Sequence, residues 1–435
     1  MHDDVRPPEW PRQQPLPHAP DGSPAAGSLF RPHDHAGTAP EDVDEAKIER
    51  EFGPPPDNGA TSLPGTRRLG TFKLLPAITL SRLIRRRATK RELLFISLGL
   101  LIVLCGGAAS YVVLHNYKPT VAKIVAPIVH PKPKPPTTVA STLTGLQVDP
   151  SINKRPVTAV MIENSPDARP QSGLDTAGVV FEAIAEGGIT RFMALYQDTT
   201  ADYIGPVRSS RFYYLQWALG FDAAYAHVGG SPEALQDIKS WGVKDLDQFY
   251  NAGAYERISS RYAPHNVYTS SAQLSALEQS KGYTTSNYTG FARNATATPA
   301  AQPTATSIDM TFSGYYYNTH YDYDAATNTY KRSEGGAPHM ELHKDGSQVQ
   351  IAPTVLVALI MPYSLETDGY HSDYQTIGSG KMYVFQGGAV QTGTWTKSGR
   401  TSQFVFTDDR GQPLKLDPGQ TWISALASTG AVTYK

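Results

Sequence analysis

"AGVVFEAIAEGGITRFMALYQD", residues 177–198, decides the fold. Two runs of β-branched and apolar residues flank Glu186-Gly187-Gly188, a turn signal that predicts a β-hairpin. A period of two sets Glu182, Ile184 and Glu186 on one face of the first strand and Phe181, Ala183 and Ala185 on the other, so the two glutamates are expected as neighbours. A strand hairpin rich in apolar residues needs a covering layer. The next stretch supplies one, because "IGPVRSSRFYYLQWALGF" (204–221) breaks at Gly205-Pro206 and then reads as an aromatic helix capped by Ser209 or Ser210.

Working outward, "RPVTAVMIEN" (155–164) reads as a strand and "DARPQSGL" (167–174) as a loop. "YAHVGGSPEALQDIKSWG" (225–242) reads as a strand, a Gly-Gly break, a helix with Ser231 as N-cap and Pro232 at its first position, and a stop at Gly242. The stretch "NYTGFARNATATPAAQPTATSIDM" (287–310) loses the apolar pattern and reads as a linker or long loop. Beyond it, "TVLVALIMPY", "GKMYVFQGGAVQTGTWTK", "TSQFVFTDDRGQPLKL" and "GQTWISAL" read as a buried strand followed by hairpins. The expected class is α/β, with mixed α+β layers in the N-terminal globular half and a mostly β C-terminal region.

Upstream, Leu93 to Leu114 is uncharged and would span about 33 Å as a helix, enough for a bilayer. A soluble helix of this length would need a polar face, which this one lacks. Arg82, Arg85, Arg86, Arg87, Lys90 and Arg91 precede the segment, whereas His115, Lys118 and Lys123 follow it sparsely. The positive-inside rule then keeps the N-terminus in the cytoplasm and exports the rest. A cleaved signal peptide would be shorter and end at a small-residue site, so a single-pass signal anchor is expected. Leu104 stands where a lipoprotein signal needs a small residue before Cys105, and the apolar run continues past that cysteine.

The expected domains are therefore a disordered cytoplasmic tail over 1–91, a transmembrane helix over 92–115, a Pro-rich linker over 116–142, an α/β domain over 143–287, a linker or long loop over 288–306, and a β-rich domain over 307–435. A formal net charge of −1 gives no global bias toward nucleic acid, and one cysteine excludes an internal disulfide framework. No P-loop, dinucleotide fingerprint, HExxH or Gly-x-Ser-x-Gly elbow occurs in the exported part. Asp322 and Asp324 lack the twelve-position calcium pattern. Neither a cofactor nor a metal is expected.

Polar residues gather in the first globular half. Arg208, Ser209 and Arg211 stand at a helix entrance, where exposed amides and the positive end of the dipole suit an anion. The same two arginines are equally suited to neutralise Glu182 and Glu186 inside the fold. His227 and Ser231 mark a second helix entrance with flanking glycines. Arg261, His265 and Asn266 share a loop held by Pro264, and Asn164, Arg169 and Arg191 complete the set of candidate ligand-binding residues.

The order of "RPVTAVMIEN", "ARPQSGL", "VVFEAIAEGGITRF", "IGPVRSSR", "AYAHVGGSPEAL" and "RYAPHNVYTS" resembles the YerB-like family of bacterial envelope proteins, a family defined by a domain of unknown function. The resemblance runs from about Leu143 onward and includes Trp395 and "PGQTWI" (418–423). It implies a two-part extracytoplasmic α/β protein, from a family whose members are commonly exported lipoproteins, and brings no settled reaction. The expected function is a membrane-anchored extracytoplasmic protein that binds an anionic or glycan envelope ligand. Two alternatives stay open: a cell-wall hydrolase using paired carboxylates, and a non-enzymatic scaffold for cell-wall synthesis proteins. Same-face positions four residues apart on a strand lie roughly 13 Å apart at the backbone, which weighs against Glu182 and Glu186 as a catalytic pair. Whether the protein is an enzyme is left open by the sequence.

Overall fold

The computed structural model describes residues 90–116 and 137–435; the expected tail before Lys90 and the linker residues 117–136 lie outside the described residues. Helix α1, Lys90–Asn116, carries the apolar run. Its segment Ser97–Asn116 is long and apolar enough to cross a membrane.

In the globular region the chain forms β1 (Thr158–Glu163), β2 (Val179–Glu186) and β3 (Ile189–Tyr196), then α2 (Phe212–Leu219), β4 (Ala224–Ala226), α3 (Pro232–Ser240), β5 (Lys244–Asp245) and α4 (Ser271–Ser280). There follow β6 (Ser307–Met310), β7 (Thr319–Asp324), β8 (Thr329–Glu334), β9 (Ala337–Pro338), β10 (Val355–Ile360), β11 (Gly378–Gln386), β12 (Ala389–Lys397), β13 (Val405–Asp408), β14 (Thr421–Leu426) and β15 (Val432–Tyr434).

A mixed ten-stranded sheet runs in the order β13-β12-β11-β10-β14-β2-β3-β1-β4-β5. The β2–β3 hairpin turns at Gly187 and Gly188, both with positive φ, as the Glu-Gly-Gly signal predicts. Strand β14 lies parallel to both β10 and β2, inserted between them, so the two halves of the globular region share one sheet. "GQTWISAL" is thus a buried central strand rather than one arm of a hairpin. A five-stranded sheet, β9-β8-β7-β6-β15, forms a second layer.

Alternation along β2 explains the layering. Val179 and Phe181 join Tyr213, Trp217, Phe291 and Phe404 in one apolar cluster, which α2 covers. Val180 joins Phe192, Trp422, Ile308, Tyr321 and Tyr330 in the other, which the five-stranded sheet covers. Residues on both faces of a sheet buried this way must be apolar nearly throughout, which is why "VVFEAIA" shows so little polarity.

Two local expectations are corrected. Helix α2 begins at Phe212 with Arg211 as its N-cap and no side-chain capping bond, so neither Ser209 nor Ser210 caps it. The register of β2 shifts between Ile184 and Glu186, a β-bulge that breaks the period of two. Ile184 therefore joins the cluster that holds Phe181 and Ala183. Glu182 and Glu186 do not share a face. Helix α3, by contrast, starts on Ser231, whose hydroxyl accepts from the Ala234 amide, with Pro232 in its first turn.

Candidate functional site

Strand β1 ends in Glu163-Asn164, and three polar clusters form around that end of the sheet. The first is a buried ring. Arg332 Nη2 donates to Glu182 Oε1 at 2.9 Å and Arg332 Nε to His339 Nδ1 at 2.8 Å. His339 Nε2 is 2.9 Å from Gln171 Oε1, and Gln171 Nε2 donates to Asn164 Oδ1 at 2.8 Å. Asn164 Nδ2 donates to Thr190 Oγ1 at 2.6 Å, and Thr190 Oγ1 reaches back to Glu182 Oε1 at 3.4 Å. Every donor in this circuit meets an acceptor, an arrangement in which each bond polarises the next. Trp422 Nε1 closes the remaining Glu182 oxygen at 2.9 Å.

Arg332 is fully buried and lies 4.6 Å from the Trp422 ring centroid, with Phe192 and Tyr321 also facing its guanidinium. Its charge is thus held by the Glu182 carboxylate, with Glu334 at 3.4 Å, and by three aromatic faces. Because Arg332 Nε occupies His339 Nδ1, the imidazole proton sits on Nε2. Burial and the charges of Arg332 and Arg169 hold this histidine well below the ordinary imidazole range.

The ring backs onto an open cavity of about 380 Å³, whose wall includes Arg169, Tyr316, Glu334, His339, Met340 and Gln348. Arg169 is anchored on one side only. Its Nε donates to Asn164 Oδ1 at 3.1 Å, and its Nη2 donates to the Asn164 and Tyr316 carbonyls at 3.1 and 2.9 Å. Its Nη1 has no hydrogen-bond partner among the described residues, and the side chain is 20% exposed. Glu334 Oε1 accepts from Asn164 at 2.7 Å and lies 3.4 Å from both Arg169 and Arg332. Burial pushes the Glu334 carboxyl upward, beyond what the two arginines offset. Tyr316 stands 61% exposed beside these groups.

The second cluster joins Glu186 to Arg191 Nη2 at 2.7 Å and to Arg211 Nη2 at 2.8 Å. Burial would raise this carboxyl, but the two guanidinium charges outweigh it and bring it down to about 2. Arg191 Nη1 also donates to the Ser209 carbonyl at 2.9 Å. The third cluster sets Glu163 between His265 Nδ1 at 2.9 Å and Arg208 Nε at 3.5 Å. Burial raises the Glu163 carboxyl less than the His265 hydrogen bond and the Arg208 charge lower it.

The remaining candidates bond to nearby groups. His227 is buried, with Nδ1 2.8 Å from the Gly229 carbonyl and Nε2 3.0 Å from Asp245 Oδ1. Burial would lower its pKa, yet Asp245 and Asp247 raise it overall. Ser231 caps α3. Arg261 donates to the carbonyls of Asp167 and Pro170 at 2.9 and 2.8 Å, and Asn266 accepts from Arg257 at 3.2 Å.

Sequence reasoning passed over Glu163, Gln171, Arg332, Glu334 and His339. The signal for two of them lay in "TYKRSE" (329–334), where Arg332 and Glu334 occupy the same alternate positions as buried Tyr330. A charge on the apolar face of a strand needs a buried partner. Asp175, Glu341 and His343 were passed over too; they bring ligand-type atoms within 4.8 Å of one another, with Glu341 already accepting from the Asp175 amide and His343 already on Asp175.

Comparison with known proteins places this architecture. Residues 143–284 match the N-terminal domain, and residues 308–423 the C-terminal domain, of a protein family of unknown function, DUF3048. The Bacillus subtilis (strain 168) protein described as "Putative lipoprotein YerB" is 30% identical over 294 residues, 67% of this chain and 87% of that protein. The crystal structure of YerB from Bacillus subtilis superimposes with a TM-score of 0.60 at 29% identity, covering 68% of this chain and 99% of that one. Kinship with a protein so described, together with α1, supports membrane association. With the matched segments, the shared fold and the identity taken together, the chain belongs to the YerB-like family of DUF3048 proteins.

Proposed function

We propose that this protein is a single-pass, membrane-anchored receptor for an acidic glycan of the cell envelope, with its globular region outside the membrane and its ligand in the cavity beside Arg169. The observation that carries the reading is the pairing of Arg169 Nη1, which has no partner among the described residues, with the exposed ring of Tyr316 at one cavity. A guanidinium with free donors takes a carboxylate, and an exposed aromatic face takes the apolar face of a sugar ring. The polar side chains of Gln348 and Glu334 meet hydroxyl groups between them. The arginine-rich flank before α1 supports the orientation.

The helix-entrance arginines contribute less than their sequence position promises, since Arg211 is spent on Glu186 and Arg208 on Glu163. The paired-carboxylate hydrolase also loses its pair. Glu182 is fully buried in the ring and Glu186 is held by two arginines, on opposite faces of β2. The purified full chain in detergent micelles should bind the disaccharide N-acetylglucosaminyl-N-acetylmuramic acid, which carries a carboxylate, more tightly than neutral N,N′-diacetylchitobiose. Arg169→Ala should cost the acidic sugar about 1.5–3 kcal/mol, the worth of a charge-assisted hydrogen bond, and the neutral sugar little. Tyr316→Ala should weaken both. Titration calorimetry that finds equal affinities in all three proteins would overturn the reading.

A further inference from the structure

One polar group near the cavity is used neither by the fold nor by the proposed ligand. Glu163 Oε2 holds His265 Nδ1 at 2.9 Å, and Ser165 Oγ donates to the other Glu163 oxygen at 3.0 Å. With Nδ1–H directed at the carboxylate, the neutral ring presents Nε2 as a bare acceptor. That nitrogen has no hydrogen-bond partner among the described residues and is not sealed from solvent. The ring stands edge-on to exposed Tyr262 at 5.1 Å. Neighbouring Arg261 grips the Pro170 carbonyl, and Pro170 is itself part of the cavity wall, which ties the loop that carries His265 to that wall.

We propose that this pair is a general-base site for ester hydrolysis, with His265 as the catalytic base and Glu163 as its positioning residue. Nε2 removes a proton from a water molecule as the water oxygen adds to the ester carbonyl. The imidazolium, stabilised by the Glu163 carboxylate, returns that proton to the departing alkoxide as the C–O bond breaks. The products are an acid and an alcohol, and water is the only co-reactant. Ser165 is not the nucleophile, because its hydroxyl lies 3.4 Å from Nδ1, the nitrogen that Glu163 already holds.

The substrate class follows from what the pair lacks. General-base assistance contributes about 10²–10⁴-fold, enough for an ester with a stable leaving alcohol. Most glycosidases use two carboxyl groups flanking the bond, and among the described residues Glu163 is the carboxylate paired with this imidazole. An acyl ester on a hydroxyl of the bound sugar is therefore the natural candidate, a choice that rests on the cavity reading. The chemistry of the pair does not.

The test uses the full chain in detergent micelles with 4-nitrophenyl acetate. The wild type should hydrolyse the ester faster than an equal concentration of free imidazole, without an acyl burst. His265→Ala and His265→Gln should each lose at least tenfold. Glu163→Gln should lower kcat severalfold at unchanged KM, because the imidazolium loses its carboxylate. Because 4-nitrophenyl acetate carries no sugar, its hydrolysis by a wild type that fails to bind the acidic disaccharide would separate this proposal from the receptor reading. A wild type no faster than imidazole, or histidine variants that keep full activity, would overturn it.

Discussion

At the scale of the residue, the molecule is governed by how it treats buried charge. Glu182 and Arg332 are both fully buried and meet at 2.9 Å. Removing one partner of such a pair strands the other, whereas replacing both with apolar groups removes the desolvation penalty as well. Glu182→Leu and Arg332→Met should each cost about 3–5 kcal/mol. The double variant should cost clearly less than their sum, which a double-mutant cycle from urea unfolding checks.

Glu186 carries a second residue-scale consequence, through pH. Its folded pKa of about 2 lies below the ordinary 4.5, so its ionised form is favoured by folding. The stabilisation is fully present above pH 4.5, and it is lost as the pH falls through 2. The shift corresponds to about 3 kcal/mol by linkage, for a side chain that is only 13% exposed. Urea melts between pH 5 and 2 should show this loss in the wild type, and Glu186→Gln should lack that component of the acid sensitivity.

Among elements, close approach decides more than propensity. Gly380 in β11 pairs with Trp395 in β12, and the Trp395 indole nitrogen donates to the Ile360 carbonyl across it at 2.9 Å. A Cβ at Gly380 would stand 2.4 Å from that carbonyl and 2.6 Å from that nitrogen. Gly380→Ala should therefore displace the buried indole and cost about 2–4 kcal/mol, read as a lowered thermal midpoint with a change in Trp fluorescence.

Elements were legible where their cause is local. The apolar run of α1, the Gly-Gly turn between β2 and β3, the Ser-Pro start of α3 and the β11–β12 hairpin each announce themselves in a few adjacent residues. The bulge after Ile184 does not, because nothing in "EAIAE" marks which residue will be extra. It appears only when β3 and Tyr213, whose hydroxyl takes the Ile184 carbonyl at 2.7 Å, fix the register. That one residue reversed the side on which Glu186 was expected, and with it the partner set of two arginines.

For the whole molecule, the decisive contacts join segments more than a hundred residues apart. His339 and Gln171, Arg332 and Glu182, Trp422 and Glu182 all reach across the two matched domains. Such pairings leave no periodic trace, so Arg169 and Asn164 were legible as polar candidates while the cavity beside Arg169 was not. The segment 288–306 shows the same limit: Phe291 is buried in the core and Arg293 donates to Leu143 and Thr421. Residues 137–287 expressed alone should fail to give a cooperative unfolding transition, since β2 would lose β14 and Glu182 would lose both Arg332 and Trp422. Dispersed amide resonances from that fragment would contradict this.

The position of β14 also sets a schedule. A strand made late in synthesis occupies the middle of the sheet, between partners completed some 60 and 235 residues earlier. Until Leu426 has left the ribosome, β2 and β10 have no common neighbour and the central layer stays open. A chain that cannot close its sheet early becomes resistant to unfolding only once that strand has arrived.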